Sequence, residues 1–239
     1  MKNPFHQEIL QAIKKNSGTP TQHTFSDSYL GNEHPRYPIS VPVLRQIAKE
    51  WIKEHRDMSV REFSGLLNEL IQGESATEKN MAGILLDYSF PEQRKFSPAL
   101  FDKWLDHLEG WAEVDSVCTG AYTNTEIPEQ WIKWKPLLIK FSRSKNINKR
   151  RASLVFFCSP LSKAADNRLA EAALLIVDRL KGENAILITK AISWVLRSMT
   201  KYNRAPLENY LQKHAATLPK IALRETLVKL ETGKKTKTV

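Results

Sequence analysis

Apolar residues recur every three or four positions along almost the whole chain, and no stretch of strand length alternates apolar with polar residues. This spacing places apolar side chains along one face of an α-helix and differs from the two-residue period of a strand. It is clearest in SVREFSGLLNELIQG, RLAEAALLIVDRLKGEN, NAILITKAISWVLRSMTKYN, PLENYLQKHAAT and PKIALRETLVKLE. The chain is therefore predicted to be all-α.

Local helix signals agree with this period. Ser59 and Glu62 have the spacing of a capping box, in which the two residues satisfy each other's backbone N–H groups at a helix start. Gly73 follows as a stop signal. The segment SPALFDKWLDHLEG is predicted to form one helix that begins after Ser97 and ends on Gly110.

The number and length of the helices predict a repeat architecture. About eleven or twelve helices follow one another with short connections, and each consecutive pair takes roughly 35–45 residues, as in HEAT and armadillo repeats. We therefore expect an α-solenoid of HEAT-like helical pairs that curves around a concave groove. A compact irregular helical bundle is the alternative. One domain is expected over residues 1–231, followed by a basic tail over residues 232–239.

Positive charge is concentrated in the second half of the chain. Residues 131–239 carry 23 lysines and arginines against 7 aspartates and glutamates, a net charge of +16, whereas residues 1–130 carry a net charge of −6. A basic half beside an acidic half indicates a polyanion such as nucleic acid as the partner of the basic half. Solvated helix faces together with the basic tail explain the same charge without a partner.

The remaining composition argues against several other classes of protein. No apolar run approaches the ~20 residues of a membrane span, and the N-terminus lacks the apolar core of a secretory signal. Two cysteines, Cys118 and Cys158, stand in apolar surroundings, where buried thiols of a cytoplasmic protein are expected. The six histidines are scattered, and phosphate-loop, dinucleotide and zinc-protease motifs are missing, so we expect neither a metal nor a cofactor.

Two helix faces combine side chains that rarely occur together. Trp111 and Asp115 are four residues apart in LEGWAEVDSVCTGAY and share a face, although a core helix favours only the indole and a solvated helix only the carboxylate. Trp194 and Arg197 share a face in KAISWVLRSMTK. A single tryptophan is usually a core residue and a single helical aspartate is usually solvated. A partly open groove would accommodate both.

Three consecutive cations, Lys149, Arg150 and Arg151, open the helix predicted in NINKRRASLVFF. Positive side chains at that end oppose the helix dipole, so a bound anion would explain their position. A solvated basic face is the ordinary explanation for such a run.

These segments resemble the AlkD-like alkylpurine DNA glycosylases, the HEAT-repeat DNA alkylation repair enzymes, over roughly residues 25–230. GWAEVDSV matches the family's Trp-x-x-Val-Asp-Ser element, NINKRRASLVFF an Asn-Ile-x-x-x-Arg-Ala helix start, and KAISWVLRSMTK a Lys-Ala-Ile-Gly-Trp-Val-Leu-Arg helix. SYLGNEHPRYPISVPVLRQIAK resembles the family's tyrosine-containing entry and Pro-x-x-Arg helix start. Pro38 and Ser193 stand where family members have glycine, and these departures concern the substrate range more than the reaction.

The resemblance implies an enzyme that hydrolyses the N-glycosidic bond of cationic N3- or N7-alkylated purines in duplex DNA and leaves an abasic site. It implies Asp115 as the catalytic carboxylate, Trp111 and Trp194 as cleft indoles, and Arg151 as a DNA-backbone contact near the lesion. It also implies that the lesion stays stacked, whereas most enzymes acting on bases flip them into a pocket. The further DNA contacts expected from these segments are Lys149, Arg150, Arg197, Tyr29 and Arg45.

The chemistry of this reaction suits these residue types. An alkylated purine already carries positive charge and leaves without a strong acid, while positive charge builds on the sugar as in glycoside hydrolysis. An ionised aspartate stabilises that charge and orients water, and indole faces attract cations by ~0.5–2 kcal/mol. A monomer is expected. The alternative function is a non-catalytic HEAT-like scaffold that binds DNA or protein.

Overall fold

The computed structural model describes residues 3–18 and 33–235. Within these ranges the chain forms helices and no β-strand, so the all-α prediction is confirmed. The chain divides into two compact units, Met1–Gly120 and Ala121–Val239. Tyr29, one of the expected DNA contacts, lies outside the described residues. The expectation of a single domain over residues 1–231 stays a prediction.

The described part of the first unit contains six helices in two layers. They are α1 (Pro4–Lys15), α2 (Val41–Glu54), α3 (Val60–Gln72), α4 (Ala76–Tyr88), α5 (Leu100–Trp104) and α6 (Gly110–Cys118). Helix α4 packs between α2 and α6, while α3 contacts both α1 and α5. Alternate helices therefore share a layer, which is the packing of an α-solenoid.

The described part of the second unit repeats this arrangement. Its α-helices are α7 (Thr123–Glu129), α8 (Trp131–Ser142), α9 (Ile147–Val155), α10 (Cys158–Lys163), α11 (Asn167–Leu180), α12 (Ile186–Met199), α13 (Arg204–His214) and α14 (Lys220–Thr232). A 3₁₀ turn at Ala215–Thr217 follows α13. Helix α12 packs between α9 and α14, and α11 packs between α8 and α13. The α-solenoid-like packing predicted from the helical period is thus present within each unit.

Capping boxes explain where two helices of the first unit begin. At the start of α3, the Glu62 carboxylate accepts the Ser59 N–H (3.0 Å) and the Ser59 hydroxyl accepts the Glu62 N–H (3.3 Å), as predicted. Ser75 and Glu78 form a second, unpredicted capping box at the start of α4. Both pairs satisfy backbone donors that the first helical turn leaves without intrahelical partners.

The segment before α6 differs from the single helix predicted for it. Only Leu100–Trp104 is α-helical, and tighter i→i−3 hydrogen bonds flank it, from the Leu100 N–H to Ser97 (3.1 Å) and from the His107 N–H to Trp104 (3.0 Å). Gly110 does not end this helix, so that prediction was wrong. It is the first residue of α6, with a left-handed φ of 64° that favours glycine.

Both cysteines behave as predicted from their apolar surroundings. Cys118 and Cys158 are buried thiols, the first on α6 and the second at the start of α10. None of the helices in the described ranges is long and apolar enough to cross a membrane.

Candidate functional site

Helix α6 carries Trp111 and Asp115 one turn apart. Both residues are partly exposed, whereas Val114, Val117 and Cys118 on the same helix have no exposed surface. The helix therefore buries one face and leaves the candidate indole and carboxylate at the boundary between core and solvent. An indole at such a boundary retains surface that a ligand can contact.

The tryptophans of the chain fall into two groups by exposure. Three are buried core residues with at most 7% of their surface exposed: Trp51, Trp104 and Trp134. Three keep a larger exposed fraction: Trp111, Trp131 and Trp194. Both indoles that the family resemblance assigns to a cleft belong to the second group, which suits contact with a ligand better than core packing does.

A buried carboxylate, Glu113, holds the start of α6. Its side chain has no exposed surface, accepts the N–H of Glu109 at 2.8 Å and lies 2.9 Å from Nδ1 of His34. The bond satisfies the backbone N–H of Glu109, the residue just before α6, and the left-handed turn at Gly110 brings the two groups together. Glu113 therefore supports the helix on which Asp115 stands.

The C-terminal half of α6 packs closely on α4. The Ser116 hydroxyl donates to the backbone carbonyl of Asn80 (3.1 Å), and Gly83, one turn further along α4, faces the same serine. Sequence reasoning missed Gly83 and the supporting role of Glu113. The available signals were a glycine inside an apolar helix, which often marks close backbone approach, and a glutamate in the first turn of a helix that begins on a glycine.

A buried lysine closes the end of α3 beside this region. Lys79 donates from Nζ to the carbonyls of Ile71 (2.8 Å) and Gly73 (2.6 Å). Burial lowers the pKa of Lys79, and this outweighs the opposite effect of the Glu113 charge. These carbonyls lack intrahelical partners at a helix end, so the ammonium group replaces the water that would otherwise bind them.

In the second unit, the three cations at the start of α9, Lys149, Arg150 and Arg151, differ in their contacts and burial. Arg150 forms a two-point ion pair with Glu183 (2.8 and 3.0 Å) and also donates to the carbonyls of Ser144 and Lys145, each at 2.8 Å. A carboxylate of the protein thus supplies an anion for one of the three cations at this helix start. Because its donors are engaged within the fold, Arg150 acts as a clamp between two loops.

Arg151 lies deeper than its neighbours on α9. Only 4% of the residue is exposed, and its guanidinium donates to the carbonyl of Leu187 in the first turn of α12 (2.5 Å). Lys149 is partly exposed at the same helix start. Since α9 packs directly on α12, Arg151 and Trp194 stand on adjacent helices of one layer.

Arg197 is held by the last described helix. Its Nε lies 3.3 Å from the Glu225 carboxylate of α14 and donates to the Ser193 hydroxyl (3.2 Å), which in turn donates to the same carboxylate oxygen (2.6 Å). Ser193 is the residue that departs from the family glycine beside Trp194. Its hydroxyl therefore adds a link between α12 and α14 that glycine could not provide.

The candidate residues thus occur as two sets, one in each unit. The first unit holds Trp111 and Asp115 on α6 and an exposed Arg45 on α2, and the second holds Arg151 and Trp194 on adjacent helices. Across the described ranges, no three histidine, cysteine, aspartate or glutamate side chains cluster so that they could hold a metal ion.

The fold and these residues define an all-α, α-solenoid-like protein in which a carboxylate and two indoles remain partly exposed on well-anchored helices. The chain matches the family model described as DNA alkylation repair enzyme over residues 9–230. It therefore belongs to the DNA alkylation repair enzyme family, and its role lies in the repair of alkylated DNA.

A solved structure shares this fold. It is described as a predicted DNA alkylation repair enzyme from Enterococcus faecalis, and it superposes with a TM-score of 0.70 over 87% of this chain and 93% of that chain. The two sequences are 18% identical, so the likeness establishes the fold alone. No curated protein matches this chain.

Proposed function

We propose that this protein is a DNA glycosylase that hydrolyses the N-glycosidic bond of positively charged N3- or N7-alkylated purines in duplex DNA. The observation that carries the proposal is the placement of Asp115 and Trp111 one turn apart on α6, both partly exposed. Membership of the DNA alkylation repair enzyme family supports it. The same proposal is that the protein acts in the cytoplasm as a monomer and needs neither a metal nor a cofactor.

The proposed reaction breaks the bond between the sugar C1′ and the purine nitrogen. The bonding electrons move to the purine and neutralise its positive charge, while the sugar becomes an oxocarbenium-like cation. The Asp115 carboxylate stabilises that cation and orients a water, whose oxygen adds to C1′ and whose proton passes to the carboxylate or to solvent. The products are a neutral alkylpurine and an abasic site.

The indoles are proposed to act on the same charges. The faces of Trp111 and Trp194 attract cations, so they favour an alkylated base or a developing sugar cation over a neutral purine by about 0.5–2 kcal/mol each. Affinity for duplex DNA is proposed to come mainly from the basic residues 131–239, with their net charge of +16. The family resemblance assigns Arg151 to the DNA backbone near the lesion.

Release of 3-methyladenine and 7-methylguanine from methylated duplex DNA tests the proposal directly. In single-turnover assays, Asp115→Asn should slow release by about 10²–10³, the loss typical of one preorganised electrostatic group. Duplex binding should persist, because the substitution removes a negative charge. Asp57→Asn, at an exposed position of the same unit, is the matched control and should retain the parental rate.

Two results would contradict parts of this proposal. A release rate for folded Asp115→Asn within a few-fold of the parent would remove Asp115 as the catalytic residue. Duplex binding by the parent protein without release of any alkylated purine would favour the non-catalytic scaffold.

A further inference from the structure

A cavity of about 400 Å³ lies in the second unit, where the end of α12 meets α10, α13 and α14. Three cations and three hydroxyl-bearing residues dominate its lining: Lys201, Arg204, Lys229, Ser162, Ser198 and Thr200. In the described part of the chain, its lining residues include no carboxylate. The cavity is thus positively charged and rich in hydrogen-bond donors.

Protein carboxylates neutralise little of this charge. The Arg204 Nε is 2.8 Å from Glu208, but that pair is exposed and therefore screened by solvent. Within residues 3–18 and 33–235, neither Lys201 nor Lys229 forms an ion pair, and the Lys201 ammonium instead lies 4.5 Å from the centre of the Tyr202 ring. The lining therefore retains a net positive charge.

Lys229 shows the electrostatic cost of this arrangement. Burial lowers its pKa, and the positive charge of Arg197 lowers it further. Glu225, one turn earlier on α14, is already 3.3 Å from Arg197 and 3.9 Å from Lys235. An anion in the cavity would favour the charged ammonium, since an opposite charge within a few ångströms offsets both effects.

The hydroxyl groups can add directional donors. Each now donates to a backbone carbonyl three or four residues earlier in the chain: Ser162 at 2.7 Å, Ser198 at 3.0 Å and Thr200 at 2.9 Å. A hydroxyl hydrogen rotates readily, so these groups can turn towards an oxyanion. Ammonium, guanidinium and hydroxyl donors together match the several oxygens of a phosphate.

We propose that this cavity binds a phosphate group. The phosphate is either a phosphodiester of the DNA backbone or a free phosphate, because both present the same oxygens. Ser198 is one turn from Trp194 on α12, so a backbone phosphate here would extend the proposed DNA contacts. Binding of phosphate itself does not depend on the glycosylase proposal, and it is measured without damaged DNA.

Calorimetric titration of the full chain with inorganic phosphate tests the site. The parent should bind one phosphate saturably, and Lys229→Gln and Lys201→Gln should each weaken binding by about tenfold or more, as expected for loss of a charge-assisted hydrogen bond. Lys213→Gln removes a charge from an exposed position on α13 and should leave the affinity unchanged. Lys229→Arg keeps the positive charge and should retain phosphate binding. It therefore shows whether the loss in Lys229→Gln comes from the charge or from altered packing.

Phosphate binding that does not saturate, or that falls equally in the Lys213 control, would overturn the proposal. A second titration in the presence of excess undamaged duplex identifies the source of the phosphate. Loss of the inorganic phosphate signal means that a backbone phosphodiester occupies the cavity, and retention of the signal means that the site takes a free phosphate. Both of these results support a phosphate site.

Discussion

Gly83 of α4 lies directly against the backbone of Ser116 on α6. A β-carbon at position 83 would stand 2.2 Å from the Ser116 carbonyl oxygen and 2.5 Å from its hydroxyl oxygen, well inside the 3.0 Å limit for such contacts. The two helices therefore touch at backbone distance only because residue 83 lacks a side chain. Asp115 is the neighbour of Ser116, so the position of the proposed catalytic carboxylate depends on this contact.

Gly83→Ala is expected to push α6 away from α4. Overpacking of this kind should lower the free energy of unfolding by about 1–3 kcal/mol. Base release should fall while duplex binding persists, because the displaced helix carries Asp115 and not the basic residues of the second unit. Gly65→Ala is the control: its nearest atom would be 3.8 Å away, and alanine should stabilise α3 by about 0.5–1 kcal/mol. Parental stability and rate in Gly83→Ala would contradict the proposed dependence.

The partly exposed tryptophans should matter more for base release than for folding. Trp111→Ala and Trp194→Ala should each slow release while costing less than the ~3–5 kcal/mol expected for loss of a fully buried aromatic side chain. Trp104→Ala and Trp134→Ala, at core residues only 1% and 2% exposed, should show that full loss. Urea unfolding and single-turnover release measured on the same samples separate the two effects. Unfolding of either test variant at ambient temperature would make that tryptophan a core residue.

Adjacent arginines on α9 should respond differently to loss of charge. Arg150→Gln removes the ion pair with Glu183 and should lower the free energy of unfolding by roughly 1–3 kcal/mol, with little change in the salt dependence of duplex binding. Arg151→Gln should reduce the slope of log K against log salt by about 0.9, the value for one neutralised phosphate. Fluorescence anisotropy with labelled duplex over a salt series measures both slopes. Equal slopes for the parent and Arg151→Gln would exclude Arg151 from the interface.

Glu78 is expected to make folding sensitive to acid. Burial alone would raise its pKa, but contacts with His6 (2.8 Å) and Ser75 (2.6 Å) outweigh burial and hold the pKa below the ordinary 4.5. A carboxyl group with a lowered folded-state pKa stabilises the fold above its unfolded-state pKa, and this contribution is lost as the pH falls through the folded-state pKa. Urea unfolding between about pH 6 and pH 3 should therefore show a smaller acid-induced loss for Glu78→Gln than for the parent.

Glu54→Gln, which changes an exposed glutamate at the end of α2, is the control for the acid series and should follow the parent. If the free energy of unfolding falls equally with pH for Glu78→Gln and the parent, Glu78 binds its proton equally well in the folded and unfolded chains.

Features that depend on neighbours in the chain were predictable from the sequence. The helical period predicts α3, α11 and α12. The spacing of Ser59 and Glu62 predicts the capping box that these two residues form at the start of α3. The four-residue separation of Trp111 and Asp115 likewise places them on one face, because side chains one turn apart always do so in an α-helix. The family resemblance rests on short segments of consecutive residues, and the family match agrees with it.

Tertiary structure decided which of these side chains pack and which remain exposed. The helical period alone does not separate Trp104, a core residue, from the partly exposed Trp111, because both indoles stand in amphipathic segments. Nor could it show that Arg150 meets Glu183, 33 residues away, while Arg151 turns to Leu187. Helical spacing fixes the direction of a side chain relative to its own helix. Its partner depends on how distant helices pack, which only the folded chain determines.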